Sequence, residues 1–208
     1  MEKKFELTDK FVINAFGIKL FQIKCTKSFK YANEGDLGGY VEKEDNLSQS
    51  GDAWVSGKAW VSGDAQVYGN ARVSGNARVS DNARVSDNAR VSGDAQVYGK
   101  AWVSGDAWVY GDAQVYGDAW VYGDAQVYGN ARVENNHMHC GFDCFGSCNR
   151  HTHAYKTKGN KVEITCGCFR GSLEEFEKKV EETHKGTIYE KQYKAIINLI
   201  KIKFGIDG

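Results

Sequence analysis

The sequence is notable first for what it lacks. Its 208 residues include no proline, and 27 basic residues balance 27 acidic ones, so the chain has no formal net charge. No apolar run is long enough to span a membrane, and the residues after Met1 do not resemble an export signal. These absences predict a cytoplasmic protein with no membrane partner.

The distribution of charge and the number of cysteines narrow the class of protein further. No segment carries a large excess of lysine or arginine, which argues against a dedicated nucleic-acid-binding protein. The six cysteines belong to a chain without export features. We therefore expect reduced thiols or metal ligands rather than disulfides.

The chain does contain one hexapeptide, written fourteen times without interruption between residues 53 and 136. Alanine recurs at every sixth position from Ala53 to Ala131, and valine does so from Val55 to Val133. In the Ala-x-Val segment the two apolar residues share one face of a β-strand, and the following Ser/Tyr-Gly-Asp segment favours a turn. One unit cannot bury its alanine and valine, but stacked units can.

Read from its valine, the repeat resembles that of left-handed parallel β-helices, in which three hexapeptides form one triangular coil. The resemblance covers all fourteen units and implies a mainly β fold. Val41 and Leu47 keep the six-residue spacing, so the winding is expected to begin near residue 41. A stack of antiparallel hairpins is the alternative, and such short strands with a Gly-Asp corner in each unit disfavour it.

Three units per coil would place the variable residues in three outward columns. The columns read Trp54, Arg72, Arg90, Trp108, Gln126; then Trp60, Arg78, Gln96, Gln114, Arg132; and then Gln66, Arg84, Trp102, Trp120. All five tryptophans of the protein belong to these columns. They either stack between coils or form an interface, and the second interpretation predicts a homo-oligomer, a dimer or a trimer.

The two ends of a β-helix expose unpaired strand edges and need caps. β-rich segments on either side of Ala15-Phe16-Gly17 predict an N-terminal β-hairpin cap. Beyond residue 136 we expect two strands, at 153–157 and 162–166, then a helix from the capping box Ser172-x-x-Glu175 and a second helix from about Tyr189. The predicted domains are a cap (1–40), a β-helix (41–136) and a ββαα module (137–208).

The repeat is preceded by EGDLGGYVEKEDNLS, residues 34–48, and is followed by CGCFRGSLEEFEKKVEETH, residues 166–184. Together these segments resemble an uncharacterised family of hexapeptide-repeat proteins from bacteriophages and prophages. In that family a GSRN-type turn and a CGCF-G segment look like parts of one site. The resemblance implies an anion-binding site here, formed by Ser147, Asn149, Arg150, Cys168, Phe169 and Arg170. Cys148 replaces the family's arginine, and turn formation alone also explains the glycines.

Residues 137–153 are rich in thiols and imidazoles, the ligands that zinc prefers. The candidate zinc ligands are Cys140, Cys144, Cys148, His137 and His139. Their spacing differs from the usual paired C-x2-C pattern, so a polar loop with reduced thiols is the alternative.

The repeat has neither the histidine that acyltransferases of this fold use nor the threonine ladder of ice-binding proteins. We therefore predict a non-catalytic, phage-type binding protein in the bacterial host cell. It would occupy a host protein or a small, nucleotide-like anion and so counter antiviral defence. The alternatives are a structural or assembly protein of phage origin and an acyltransferase-like enzyme.

Overall fold

The computed structural model describes residues 2–159 and 161–206. The chain begins with strands β1 (Phe5–Ile13) and β2 (Lys19–Cys25), which form the expected antiparallel hairpin. Strand β3 (Leu37–Val41) pairs with β2 on one side and with the solenoid on the other. A short 3-10 turn, Glu44–Asn46, follows. The cap is therefore a continuation of one solenoid sheet.

The hexapeptides form fourteen two-residue strands within the described part of the chain. They are β4 (Trp54–Val55), β5 (Trp60–Val61), β6 (Gln66–Val67), β7 (Arg72–Val73), β8 (Arg78–Val79), β9 (Arg84–Val85), β10 (Arg90–Val91), β11 (Gln96–Val97), β12 (Trp102–Val103), β13 (Trp108–Val109), β14 (Gln114–Val115), β15 (Trp120–Val121), β16 (Gln126–Val127) and β17 (Arg132–Val133). Each strand is bounded by turns because the Gly-Asp segment cannot continue it.

Strands that are three units apart pair in parallel, so that Trp54 lies beside Arg72 and Arg90 beside Trp108. The strands form three sheets, with the orders β3-β5-β8-β11-β14-β17, β4-β7-β10-β13-β16 and β6-β9-β12-β15. The chain thus makes a parallel β-solenoid of about five turns, and the three predicted columns are confirmed. Val41 pairs with Val61 and Leu47 with Val67, which also confirms where the winding begins. The left-handed sense stays a prediction.

The core of the solenoid consists of the repeated valines and alanines, none of which is more than 3% exposed. Full burial of one valine stabilises the fold by about 1.5–3 kcal/mol. The corners need residues that tolerate a positive φ angle. Gly75, with φ of 71°, lies directly above Gly93, where the backbone leaves no room for a side chain.

Polar side chains complete the open edge of the first coil. Each coil donates its backbone N–H groups to the carbonyls of the next coil, which leaves carbonyls free at the N-terminal end. Lys4 Nζ donates to the carbonyl oxygens of Gly51 and Ala53, at 3.2 and 2.9 Å. Asn46 Nδ2 donates in the same way to Gly63 and Ala65. These two side chains replace the strands that a preceding coil would have supplied.

The C-terminal module is a four-stranded antiparallel sheet with two helices. Its elements are β18 (His139–Phe145), β19 (Arg150–Lys156), β20 (Val162–Cys166), β21 (Phe169–Ser172), α1 (Leu173–His184) and α2 (Ile188–Phe204). The predicted capping box is present, since Ser172 and Glu175 exchange hydrogen bonds at the start of α1. Strands β18 and β21 were not expected, and they replace segments that we interpreted as a loop and a turn.

Some tryptophans stack between coils, as the first interpretation of the columns predicts, and some stay exposed, as an interface would require. Trp102 and Trp120 stack at 5.2 Å between ring centroids, as the column predicts. Trp54 is only 5% exposed because Phe29 of the cap covers it edge-on at 5.4 Å, so its predicted role in an interface is wrong. Trp108 and Trp120 keep 37% and 43% of their surface exposed.

Neither described helix has the length and apolar character needed to cross a membrane.

Candidate functional site

Two turns of the C-terminal sheet lie next to each other at one end. Strands β19 and β20 are antiparallel, with Thr152 opposite Cys166. The turn between β18 and β19 therefore adjoins the turn between β20 and β21. The helices pack across the same end and form one side of an open cavity of about 260 Å³. Its lining is Ser147, Cys148, Arg150, Cys166, Cys168, Phe169, Phe176, Lys179, Val180, Thr183, His184 and Tyr193. We call this the thiol–arginine pocket.

Glycines at the two turns make the pocket possible. Gly167, with φ of 59°, leaves the space that the Arg150 side chain occupies. Gly146, with φ of 76°, leaves space for the hydroxyl of Tyr193, and its N–H donates to Gln192 Oε1 at 2.9 Å. Both turns thus receive side chains from elsewhere in the module, which fixes their positions relative to α2.

The charged residues that line the pocket are basic, and one of them, Lys179, lies 3.8 Å from the carboxylate of Glu182. Arg150, Lys179 and His184 line the pocket, and none of the described lining residues is acidic. The pKa of Arg150 is raised, chiefly by the Cys148 thiol and then by the Cys168 thiol. An arginine at the mouth of a cavity presents a charged, forked donor to an anion.

On the inner wall of the pocket, the side chain of Tyr193 packs among aromatic rings. Tyr193 packs edge-on against Phe176 at 5.7 Å and stacks on His184 at 5.3 Å. Its hydroxyl lies 3.7 Å from Cys166 Sγ, which also accepts from Thr152 Oγ1 at 3.3 Å. Burial raises the pKa of Tyr193, so the phenol stays protonated at neutral pH and can donate to a ligand.

Four of the six residues predicted to bind a ligand come together in this pocket: Ser147, Arg150, Cys168 and Phe169. Asn149 does not line it and lies in the turn with a φ of 47°. Arg170 is also elsewhere. It lies 4.1 Å from the ring of Tyr128 and bonds Glu163 at 3.3 Å. Neighbouring strand residues point to opposite faces, so Phe169 and Arg170 cannot both enter one pocket.

The predicted zinc ligands are not brought together. Cys140 is half-buried on β18, Cys144 and His137 are exposed, and Cys148 joins the thiol–arginine pocket. Among the described residues, no three side chains of histidine, cysteine or acid surround a common point. Strand β18 shifts register between Phe142 and Phe145, which separates thiols that are evenly spaced in sequence.

The sequence interpretation missed Lys179 and Tyr193, which come from the helices, as His184 does. The predicted ligand set also left out His151 and His153, which lie on β19, where His153 is opposite Gly141. The i, i+2 spacing of these two histidines was a usable signal, because such residues share one face of a strand.

Comparison with known protein families gives a match to the repeat. The YdcK β-solenoid repeat family matches residues 65–81, 77–93, 83–99, 95–111, 113–127 and 125–138. A search of the curated proteins finds no match. The matched segments end at residue 138, so both the thiol–arginine pocket and the helices lie outside them. The matched repeats and the stacked parallel coils together identify the chain as a repeat β-solenoid protein.

Proposed function

We propose that this is a non-catalytic binding protein that holds a small, nucleotide-like anion in the thiol–arginine pocket. The supporting observation is the lining itself, in which Arg150, Lys179 and His184 border a cavity of about 260 Å³ and no described lining residue is acidic. Arginine suits planar recognition of phosphate or carboxylate groups, and Phe169 offers a flat apolar surface beside it.

The biological setting is part of the proposal. The sequence resembles phage and prophage hexapeptide-repeat proteins at both ends of the repeat. We infer that the protein works in the cytoplasm of the bacterial host and sequesters an anion or occupies a host protein, which would blunt antiviral defence. The solenoid then serves as a rigid carrier for the module.

The first experiment asks whether a ligand is present at all. The purified protein is heated, and the released small molecules are identified by mass spectrometry. Calorimetric titration with inorganic phosphate, pyrophosphate and mononucleotides then measures affinity directly. We expect Arg150→Gln and Lys179→Gln each to weaken binding by about 10- to 100-fold, the usual effect of losing a hydrogen bond to a charged group.

The chain offers a matched control for each variant. Lys178→Gln removes the neighbouring, exposed lysine of α1, and Arg84→Gln removes a solvent-facing arginine of the solenoid. Both should bind like the parent. Equal loss in these controls would indicate non-specific attraction, and the absence of any bound or titratable anion would reject the proposed function.

A second candidate function, in assembly, rests on a different observation. Trp108, Trp120 and Tyr122 are exposed on the C-terminal coils, and large aromatic side chains are often central to interfaces. Under this proposal the chain forms a dimer or trimer through these faces. Light scattering at micromolar concentration should give a multiple of the 23.1 kDa chain mass, reduced to one chain by Trp108→Ser with Trp120→Ser.

A further inference from the structure

The residue after each repeated valine, a serine or a tyrosine, forms its own columns, because units three apart stack on one another. One of these columns reads Ser62, Ser80, Tyr98 and Tyr116, and each member donates its backbone N–H to a carbonyl of the next coil. The rings of Tyr98 and Tyr116 stack at 4.9 Å and are nearly parallel. The tyrosine ladder therefore begins at Tyr98, and the coil before it contributes only the small side chain of Ser80 at this position.

The N-terminal hairpin extends over the two serines and encloses the space that they leave. A cavity of about 340 Å³ results, which is within the range of small-molecule sites. It is bordered by Phe16 and Ile18 of the hairpin and by Trp60, Ser62, Ser80 and Tyr98 of the solenoid. We call it the hairpin groove. None of its described lining residues belongs to the thiol–arginine pocket.

The tip of the hairpin is held in shape by its own hydrogen bonds. Oδ1 of Asn14 accepts from the N–H groups of Phe16 and Ile18, at 2.9 and 3.0 Å. The side chain of Phe16 is nonetheless 81% exposed. A flat apolar ring thus stands beside a groove whose two ends, two coils apart, carry Trp60 and Tyr98. Such a groove suits an aromatic ligand.

The groove also contains one cationic and one anionic side chain, Arg78 and Asp81. Within the described residues, neither takes part in an ion pair. The guanidinium of Arg78 lies 6.0 Å from the centre of the Trp60 ring, and Asp81 Oδ2 accepts from the N–H of Gly99 at 3.0 Å. Both side chains keep further hydrogen-bonding capacity, so they favour a ligand that carries both signs of charge.

We propose that the hairpin groove binds a small aromatic zwitterion, of the chemical class of the free aromatic amino acids. Its ring stacks on Tyr98 at the level of Ser80, about 4.8 Å along the column, where a further tyrosine of the ladder would lie. Its carboxylate pairs with Arg78 on the same coil, and its ammonium group pairs with Asp81 at the following corner. Phe16 covers the ligand and loses exposed surface.

An identical hexapeptide on the next sheet provides a matched comparison. Residues 78–83 and 84–89 share the sequence Arg-Val-Ser-Asp-Asn-Ala. Asp87 accepts from a corner N–H at 3.1 Å in the same way, but neither Arg84 nor Asp87 lines the groove. The hairpin and Tyr98, rather than the hexapeptide, therefore distinguish the site.

The first test titrates the full chain with L-phenylalanine in a calorimeter, and we expect saturable binding to one site. Three analogues each lack one feature: 3-phenylpropionate lacks the ammonium group, phenethylamine lacks the carboxylate and alanine lacks the ring. Each analogue should bind about tenfold more weakly or worse. Equal affinity of any analogue would reject the zwitterion, and no saturable binding at millimolar concentrations would reject the site.

The variant Ser80→Tyr tests where the ring binds. The repeat already accepts tyrosine at this position, so the new ring should stack on Tyr98 and fill the groove. We expect binding to be abolished while the melting temperature is not lowered. Ser74→Tyr makes the same change on another sheet and should bind like the parent. Phenylalanine binding that survives Ser80→Tyr would overturn the proposal.

Two further variants remove the charges without filling the groove. Arg78→Gln and Asp81→Asn should each weaken binding about tenfold or more, because each leaves one charge of the ligand unpaired. Asparagine keeps an acceptor for the corner N–H and tolerates the φ of 61° at this position. Arg84→Gln and Asp87→Asn are the matched controls and should bind like the parent. Equal losses in the two pairs, or no loss in the first pair, would contradict the proposed site.

Discussion

In the solenoid every coil buries the same two residue types, valine and alanine, and repeats the same hydrogen bonds eighteen residues later along the chain. In the C-terminal module, by contrast, the residues that line the thiol–arginine pocket do not belong to a repeat. The five histidines of the protein all lie in the module, together with the thiol–arginine pocket. Repetition gives stability from nearest neighbours, whereas irregular turns bring chemically different side chains together.

The largest effect is expected inside the solenoid. Val91→Asp places a charge at a fully buried mid-stack position and should cost about 4 kcal/mol or more, because nothing there can pair with it. Thermal unfolding followed by circular dichroism measures the loss. Arg90→Asp, one residue away on the exposed face, should cost less than about 1 kcal/mol. An unchanged melting temperature for Val91→Asp would contradict the inward packing of valine.

Lowering the pH should destabilise the C-terminal module more than the solenoid. Burial lowers the pKa of His139 to about 4 and that of His153 to about 3, against 6.5 for an ordinary histidine. The unfolded module therefore binds more protons than the folded one between about pH 3 and 6.5, so stability is lost as the pH falls below 6.5. From pH 7 to pH 5 each histidine should cost the module about 2 kcal/mol.

Hydrogen exchange at the two pH values measures this difference. Amides of the C-terminal sheet should lose protection at pH 5, after correction for the intrinsic exchange rate. The solenoid, which has no histidine in its repeats, should keep its protection. Equal loss in both regions would mean that the buried histidines do not control the stability of the module.

The next effect concerns the cap of the first coil. Lys4→Met leaves the carbonyls of Gly51 and Ala53 without their donor and should destabilise the protein by about 2 kcal/mol. Lys3→Met removes only an exposed ion pair with Glu44 and serves as the control, with an expected loss below about 0.5 kcal/mol. Denaturant unfolding distinguishes them, and two equal values would deny the capping role of Lys4.

The smallest effect is expected at the contact between the two regions. Arg170→Gln removes a cation–π contact with Tyr128 of the solenoid and an ion pair with Glu163, at a cost of about 1 kcal/mol because the side chain is partly exposed. The loss should appear as faster exchange in β20 and β21 only. Arg132→Gln, which removes an arginine from the last coil, is the control variant. Faster exchange throughout the solenoid would show that the module also stabilises the coils.

The fold was largely predictable because its main determinant is local. An unbroken Ala-x-Val spacing decides which residues point inward, and the eighteen-residue pairing of Trp102 with Trp120 follows by counting. The capping box at Ser172 is equally local, since its two partners are three residues apart. Strand β18 escaped prediction because its polar sequence becomes a strand only through pairing with β19.

The candidate site was only partly predictable, because the residues that form it lie far apart in the sequence. Ser147 and Cys168 were associated through the family resemblance, but Lys179 and Tyr193 join them only when the helices fold back over the sheet. Arg170 was misplaced because its neighbour Phe169 takes the pocket face of β21. Trp54 was misplaced because the cap, some 25 residues earlier in sequence, covers it.

The sequence by itself therefore determined the solenoid, since a six-residue period of small apolar residues can be buried only by stacking. The tertiary structure decided the rest. It placed the Gln126 carbonyl against Nδ1 of His153, and Nε2 of the same ring against Nδ1 of His139. No local pattern encodes that chain of hydrogen bonds, because its members come from the last coil and from two strands of another domain.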